Sequence, residues 1–140
     1  VAVKLYEVMG EKKAPAVSGG KSPFSDTDDP VVLQAAELGF VSGIGEGKFG
    51  PDSLVTREQM AVMLANVYTE LGGKIPNVTV TAFADDKAIS SWAKSAVDFM
   101  NGKKILSGKG DRKFVPSGEG GNAKIEEALL VSLKMLETLK

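Results

Sequence analysis

Apolar residues recur with helical spacing in three places along this chain. Met60, Met63, Leu64, Val67, Tyr68 and Leu71 follow an i, i+3, i+4 rhythm. Ala128, Val131, Ser132, Met135, Leu136 and Leu139 hold the same register, and Leu129, Leu130 and Leu133 widen that face. Ala2, Leu5, Tyr6 and Met9 form a shorter third set, in which Leu5-Tyr6 aligns with Val67-Tyr68. The pattern predicts three equivalent amphipathic helices. Thr56 is a suitable N-cap for the middle one, and Gly72-Gly73 a suitable stop. Gly10 is expected to end the first helix in the same way.

The polar stretches between these helices repeat as well. Phe24-Ser25-Asp26 returns as Phe83-Ala84-Asp85, 59 residues later. Gly43, Phe49 and Pro51 return as Gly108, Phe114 and Pro116, offset by 65, and Glu58 returns as Glu126, offset by 68. The chain therefore reads as two full copies of one unit, preceded by the tail of another. Val32, Ala35, Ala36 and Leu38 predict a short helix in the first copy. Trp92, Ala96, Val97 and Met100 predict a longer one in the second. Asp26 to Asp29 suit a helix start, with Pro30 in the first turn. Asp26 and Asp85 are both expected to cap short helices. Residues 78–81 (Val-Thr-Val-Thr) alternate but are too few for a sheet. The expected fold is all-α: a pseudo-threefold bundle of repeated long helices, with short helical prongs and glycine-rich turns. The expected units are residues 1–22, 23–73 and 74–140. Because the chain opens inside a helix, it reads as a piece of something longer.

Composition narrows the chemistry. Apolar residues make up 43% and charged residues 25%, and 17 basic against 18 acidic side chains leave a net charge of −1. There is no basic stripe for nucleic acid, no polybasic cluster for lipid, and no apolar run long enough to enter a membrane. The chain contains no cysteine and no histidine. Disulfides, thiol catalysis, Ser-His triads and zincin sites are thereby excluded. No cofactor is implied. The acidic "DTDDP" stretch lacks the spacing, glycine and closing glutamate of an EF-hand, so helix capping explains it better than calcium.

The order "FSD…LGFVSGIGEGKFGPDSLVTREQMAVML" from Phe24 to Leu64 resembles the S-layer homology module of bacterial surface proteins. "FAD…WAKSAV…ILSGKGDRKFVP…KIEEALLVSL" from Phe83 to Leu133 is a more divergent copy. The resemblance implies a spindle of three long helices in an extracellular, wall-associated protein. It implies non-covalent attachment to secondary cell-wall polysaccharide carrying pyruvylated, anionic sugars. The ligand would lie in grooves between modules, and the arginine of Thr-Arg-Glu would be a principal contact.

The candidate ligand residues are Arg57, Glu58, Gly45, Gly47, Trp92 and Lys124. A guanidinium offers a planar fork to a carboxylate, and Arg57 stands in a first helical turn, where free backbone N–H groups would favour an anion. The plainer reading of Arg57 is a solvated residue paired with a nearby acid. Glu58 is expected to close a capping box or orient Arg57. Gly45 and Gly47 would bring bare backbone to a sugar or serve the turn. Phe49 and Phe114 would plug that turn, with Pro51 and Pro116 shaping it. Trp92 would stack on a sugar or fill the core of its prong. Lys124-Ile125 replaces Thr-Arg in the second copy, so at most one complete site is expected, centred on Arg57. A wall-anchoring module is the leading reading. A structural module that packs against a longer chain or self-associates is the alternative. No residue constellation supports an enzyme.

Overall fold

A computed structural model describes residues 1–17, 19, 22–76 and 82–139. Five α-helices follow in order: α1 Ala2–Gly10, α2 Pro30–Glu37, α3 Arg57–Glu70, α4 Lys94–Gly102 and α5 Ile125–Leu139. A single 3₁₀ turn, Asp86–Ala88, precedes α4. Among the described residues the only β features are two isolated bridges, Gly45 to Lys48 and Thr56 to Asn122. The fold is all-α, as its periodicity predicts. The expectation for Val78 to Thr81 lies outside the described residues.

The centre of the molecule is α3. It packs against α1, α4 and α5, and α1 packs in turn against α2. Each of the first two long helices thus carries the short helix of the following unit on its flank. One core runs through both units, from Leu5 and Tyr6 through Leu64 and Val67 to Phe99, Met100 and Met135. Tyr6 meets Phe40 at 5.6 Å between ring centroids, and Tyr68 stacks on Phe99 at 5.6 Å.

The helix ends follow local chemistry. Thr56 caps α3: its Oγ1 accepts from the Gln59 N–H at 3.2 Å, and Gln59 Oε1 accepts from the Thr56 N–H at 2.9 Å. The capping box is closed by Gln59, correcting the expectation for Glu58; with Thr56 at the cap, the third helical position is Gln59. Asp29 caps α2 by accepting from Val31 N at 2.8 Å, and Pro30 occupies the first position. The stop after α1 also differs from expectation. Gly10 is still helical, and Glu11 takes the left-handed conformation at φ 51. A Cβ on Gly10 would come within 2.8 Å of Leu71 Cδ2, so this glycine serves the close approach of α1 to the end of α3.

Candidate functional site

Both copies build the same turn with the same bonds. Ser25 N donates to Gly47 O at 2.8 Å, and Ala84 N donates to Arg112 O at 2.6 Å. Ile44 N reaches Lys48 O at 2.9 Å, and Lys109 N reaches Lys113 O at 2.9 Å. Phe24 rests on Phe49 at 5.4 Å between centroids, and Phe83 on Phe114 at 5.3 Å. A Cβ on Gly43 or Gly108 would strike the carbonyl of Lys48 or Lys113, at 2.5 and 2.6 Å, so neither turn admits a side chain there.

The aspartates of the repeated Phe-x-Asp fasten these turns. Asp26 accepts from Phe49 N at 2.8 Å and Gly50 N at 2.9 Å. Asp85 accepts from Phe114 N and Val115 N, both at 2.8 Å. They are loop clamps, which corrects the expectation that they cap helices. The backbone bond from Phe49, then that from Gly50, holds the Asp26 carboxyl below its ordinary value. Burial pushes Asp85 up, but the Phe114 and Val115 N–H groups outweigh it and the net displacement is down.

Thr-Arg-Glu joins one unit to the next. Arg57 is 2% exposed. Its Nε donates to Glu127 at 2.6 Å, its Nη2 to Ser107 O at 2.7 Å, and its Nη1 to Phe114 O. The guanidinium also lies over the Phe114 ring, 4.5 Å from the centroid. All three partner residues belong to the second copy. Glu58, also buried, accepts from both the N–H and the hydroxyl of Ser90, at 2.9 and 2.7 Å.

The first-turn N–H groups of α3 are not free for an anion, contrary to expectation. Arg57 N donates to Gly121 O at 2.8 Å and Glu58 N to Pro116 O at 3.1 Å. Ala123 N completes the seam by donating to Val55 O at 2.7 Å. Position 57 thus carries a cross-unit latch with its donors turned inward. A local reading of the sequence misses this, because Ser107, Phe114 and Glu127 lie far along the chain.

The open surface lies beside the latch. A hollow of about 480 Å³ runs between the turn of the first copy and Trp92 of the second. Its walls include Val41, Ile44, Leu54 and Met63, with Ser42, Ser53 and Asn66 as polar points. Trp92 stands on the turn before α4 and is 59% exposed, so it is not a prong-core residue. Among the described residues no charged side chain lines this hollow. A neighbouring hollow of about 540 Å³ shares Gly39, Val41 and Ser42 with it and adds Gly45, Gly47, Glu37 and Lys48. Among the predicted residues, the structure therefore brings Trp92 to the first hollow and Gly45 and Gly47 to the second. Arg57 and Glu58 lie buried between the units, and Lys124 is exposed just before α5. Among the described residues no cluster of acidic side chains is arranged to hold a metal ion.

What this arrangement defines is a tandem-repeat class of helical module: duplicated clamped turns, latched unit to unit, flanking an open apolar hollow. The chain matches the S-layer homology domain over residues 23–61 and 82–119, and it belongs to that family. The domain is a non-catalytic anchor, and the chain falls with surface proteins of the cell wall and S-layer. It is similar to an amylopullulanase of Thermoanaerobacterium thermosulfurigenes, with 35% identity over 107 residues, 74% of this chain and 6% of that protein. It is also similar to an exoglucanase of Acetivibrio thermocellus, with 35% identity over 107 residues, 74% of this chain and 10% of the other. A surface layer protein of Brevibacillus choshinensis is 28% identical over 92 residues, 65% of this chain and 8% of that one. The chain thus spans a tenth or less of the length of these relatives. No solved structure matches it.

Proposed function

We propose that this chain anchors a larger surface protein by binding secondary cell-wall polysaccharide in the hollow between its two full units, taken as residues 23–73 and 74–140. The observation that carries this reading is Trp92. A large, exposed indole faces the apolar turn of the neighbouring unit across an open groove. Such a ring stacks on the apolar face of a sugar, while Ser42, Ser53 and Asn66 offer hydroxyl and amide partners to its rim. Among the described residues the lining carries no charge, which suits the neutral part of the polymer. An anionic substituent, such as a pyruvate ketal, would be met one step away by Lys48, across the shared Val41-Ser42 segment. Arg57 and Glu58 serve as positioning residues: by fixing the second unit on the first, they set the width of the groove. Three long helices in pseudo-threefold register remain part of this proposal.

The test is co-sedimentation with isolated wall sacculi, before and after removal of the non-peptidoglycan polymer. Binding should vanish with the polymer. Trp92→Ala should weaken it about tenfold or more, in line with the loss of one aromatic stacking contact. Unaltered sedimentation of Trp92→Ala would remove the groove as the site.

A further inference from the structure

The near-neutral total charge of the chain conceals a sorting between its units. Residues 23–73 carry eight acidic side chains and two basic ones, whereas residues 74–140 carry eleven basic and eight acidic. The basic excess lies in one stretch, Lys103 to Lys113. At the repeat offset of 65, Lys103, Lys104, Lys109, Arg112 and Lys113 stand where the first copy has Leu38, Gly39, Ile44, Gly47 and Lys48. The acid of the turn is kept, as Glu46 and Asp111. One turn is therefore charge-balanced, and its twin is strongly cationic.

Two of these replacements are made against the backbone. Both short helices end on the same pair of bonds: Gly39 N to Ala36 O and Phe40 N to Ala35 O, then Lys104 N to Asn101 O and Ile105 N to Met100 O. The residue after the helix is left-handed in each, Gly39 at φ 76 and Lys104 at φ 59. Inside the turn, Gly47 at φ 68 is matched by Arg112 at φ 56. Glycine takes this conformation without strain, and lysine and arginine do not. Nor do they gain contacts in return. Lys103, Lys104 and Arg112 are exposed, and among the described residues their side chains have no hydrogen bond or ion pair. Lys113 lies near the clamped Asp85 carboxylate, and Lys109 Nζ donates to Gly120 O at 3.1 Å. What Lys104 and Arg112 add is charge on an open surface.

This openness does not depend on a neighbouring unit. In the first copy the second unit is docked, yet Gly39, Gly47 and Lys48 stay exposed. They line the 540 Å³ hollow, whose described walls include no residue of the second unit. In the second copy the preceding unit is docked, and the five cations are exposed all the same.

We propose that Lys104, Arg112 and Lys113, flanked by Lys103 and Lys109, form a binding face for a phosphodiester-linked polyanion of the wall, a contact separate from the Trp92 hollow. Charges gathered on one turn are all engaged by a chain with closely spaced anions, whereas a chain with occasional carboxylates engages one at a time. Four of the five are lysines, which meet phosphate oxygens as point charges; a lone carboxylate is better held by a guanidinium fork.

Calorimetric titration of the purified chain with a synthetic oligo(glycerol phosphate) tests this. Affinity should fall with salt on a log–log slope of about −2, as for three neutralised charges on a single-stranded polyanion. Lys104→Gly and Arg112→Gly install the residues of the first copy. Each should weaken binding about tenfold while the thermal unfolding midpoint stays unchanged or rises, because strain is relieved. Lys4→Ala, at an exposed lysine of α1, should bind within about twofold of the parent chain. Hyaluronate, with a carboxylate on every second sugar, should bind at least about tenfold more weakly than the phosphodiester oligomer. Absence of binding at low salt, a slope near zero, or parental affinity in the Lys104→Gly, Arg112→Gly double variant overturns the proposal. So does a tenfold loss in Lys4→Ala, equal affinity for hyaluronate, or a loss of binding that comes only with a lowered midpoint.

Discussion

The two copies of the repeat agree at their turns and part company at the helices that follow. Asp26 and Asp85 make the same two backbone bonds, and the aromatic pairs behind them match within 0.1 Å between centroids. Yet Thr56-Arg57-Glu58 opens α3 with a latch of buried polar contacts, while Lys124-Ile125-Glu126 opens α5 with an exposed lysine and an exposed glutamate. The difference lies in the contacts made across the joint. The start of α3 has a following unit to grip, through Ser90, Ser107, Phe114 and Glu127. Among the described residues, α5 has no such unit at its start. The turn is a property of one unit, and the latch is a property of the joint between units.

The sharpest way to break this comparison is at Arg57. Arg57→Ala would strand the buried carbonyl of Phe114, remove the donor to the partly buried Ser107 carbonyl and leave Glu127 without its ion pair. It should cost about 3 kcal/mol or more, read by urea denaturation. Lys124→Ala, in the same motif of the other copy, should stay within about 0.5 kcal/mol. Arg57→Lys should recover little, because one ammonium cannot span three divergent acceptors. Equal losses at Arg57 and Lys124 would refute the latch.

A second contrast pits Glu58→Gln against Glu126→Gln. The first weakens two charge-assisted bonds to Ser90 and should cost about 1.5–3 kcal/mol; the second should cost almost nothing. A third turns on the position after the clamped phenylalanine. Gly50 has φ 72 and its counterpart Val115 has φ 58. A β-branched residue is strained in that left-handed region. Gly50→Val should therefore destabilise by about 1–3 kcal/mol. Its new Cβ would also meet Ile44 Cδ1 and Ser53 Oγ at 2.8 Å. Val115→Gly should be neutral or stabilising by up to about 1 kcal/mol, and thermal unfolding of both variants tests the pair.

The smallest effect concerns the feature the copies share. The folded carboxyls of Asp26 and Asp85 lie below the unfolded value of about 3.9. Their contribution is thus fully present well above that value, and it is lost as pH falls through the lower folded value. Replacing both with Asn should flatten the acid limb of a stability-versus-pH curve below about pH 5. An unchanged limb would show that other carboxylates set it.

Local patterns made most of the scaffold legible. The three long helices followed from apolar spacing, and the duplicated turn from Phe24, Asp26, Gly43 and Phe49 with their counterparts. Thr56 was readable as a cap, although counting from it selects Gln59 as its reciprocal partner. The roles that escaped are tertiary. Asp26 has helix-cap chemistry by type, and only the folded turn shows that it spends its oxygens on Phe49 and Gly50. Arg57 looks like a surface cation until Phe114 and Glu127 are brought beside it. Trp92 sits one turn before the helix that its apolar character suggested it would fill, and so it faces outward.

The seam at α3 also bears on how the chain is made. Residues 57–70 are synthesised well before Ser107, Phe114, Pro116, Gly121 and Glu127, which complete the start of that helix. On the ribosome, the first full unit can form its turn and collapse on α1 while Arg57 remains hydrated and the leading N–H groups of α3 bond to water. The helix start closes only when the last third of the chain has emerged. Premature termination within that stretch would therefore release a product whose earlier half is intact in sequence but unfinished at its central helix, and such a product should be a ready substrate for proteolysis.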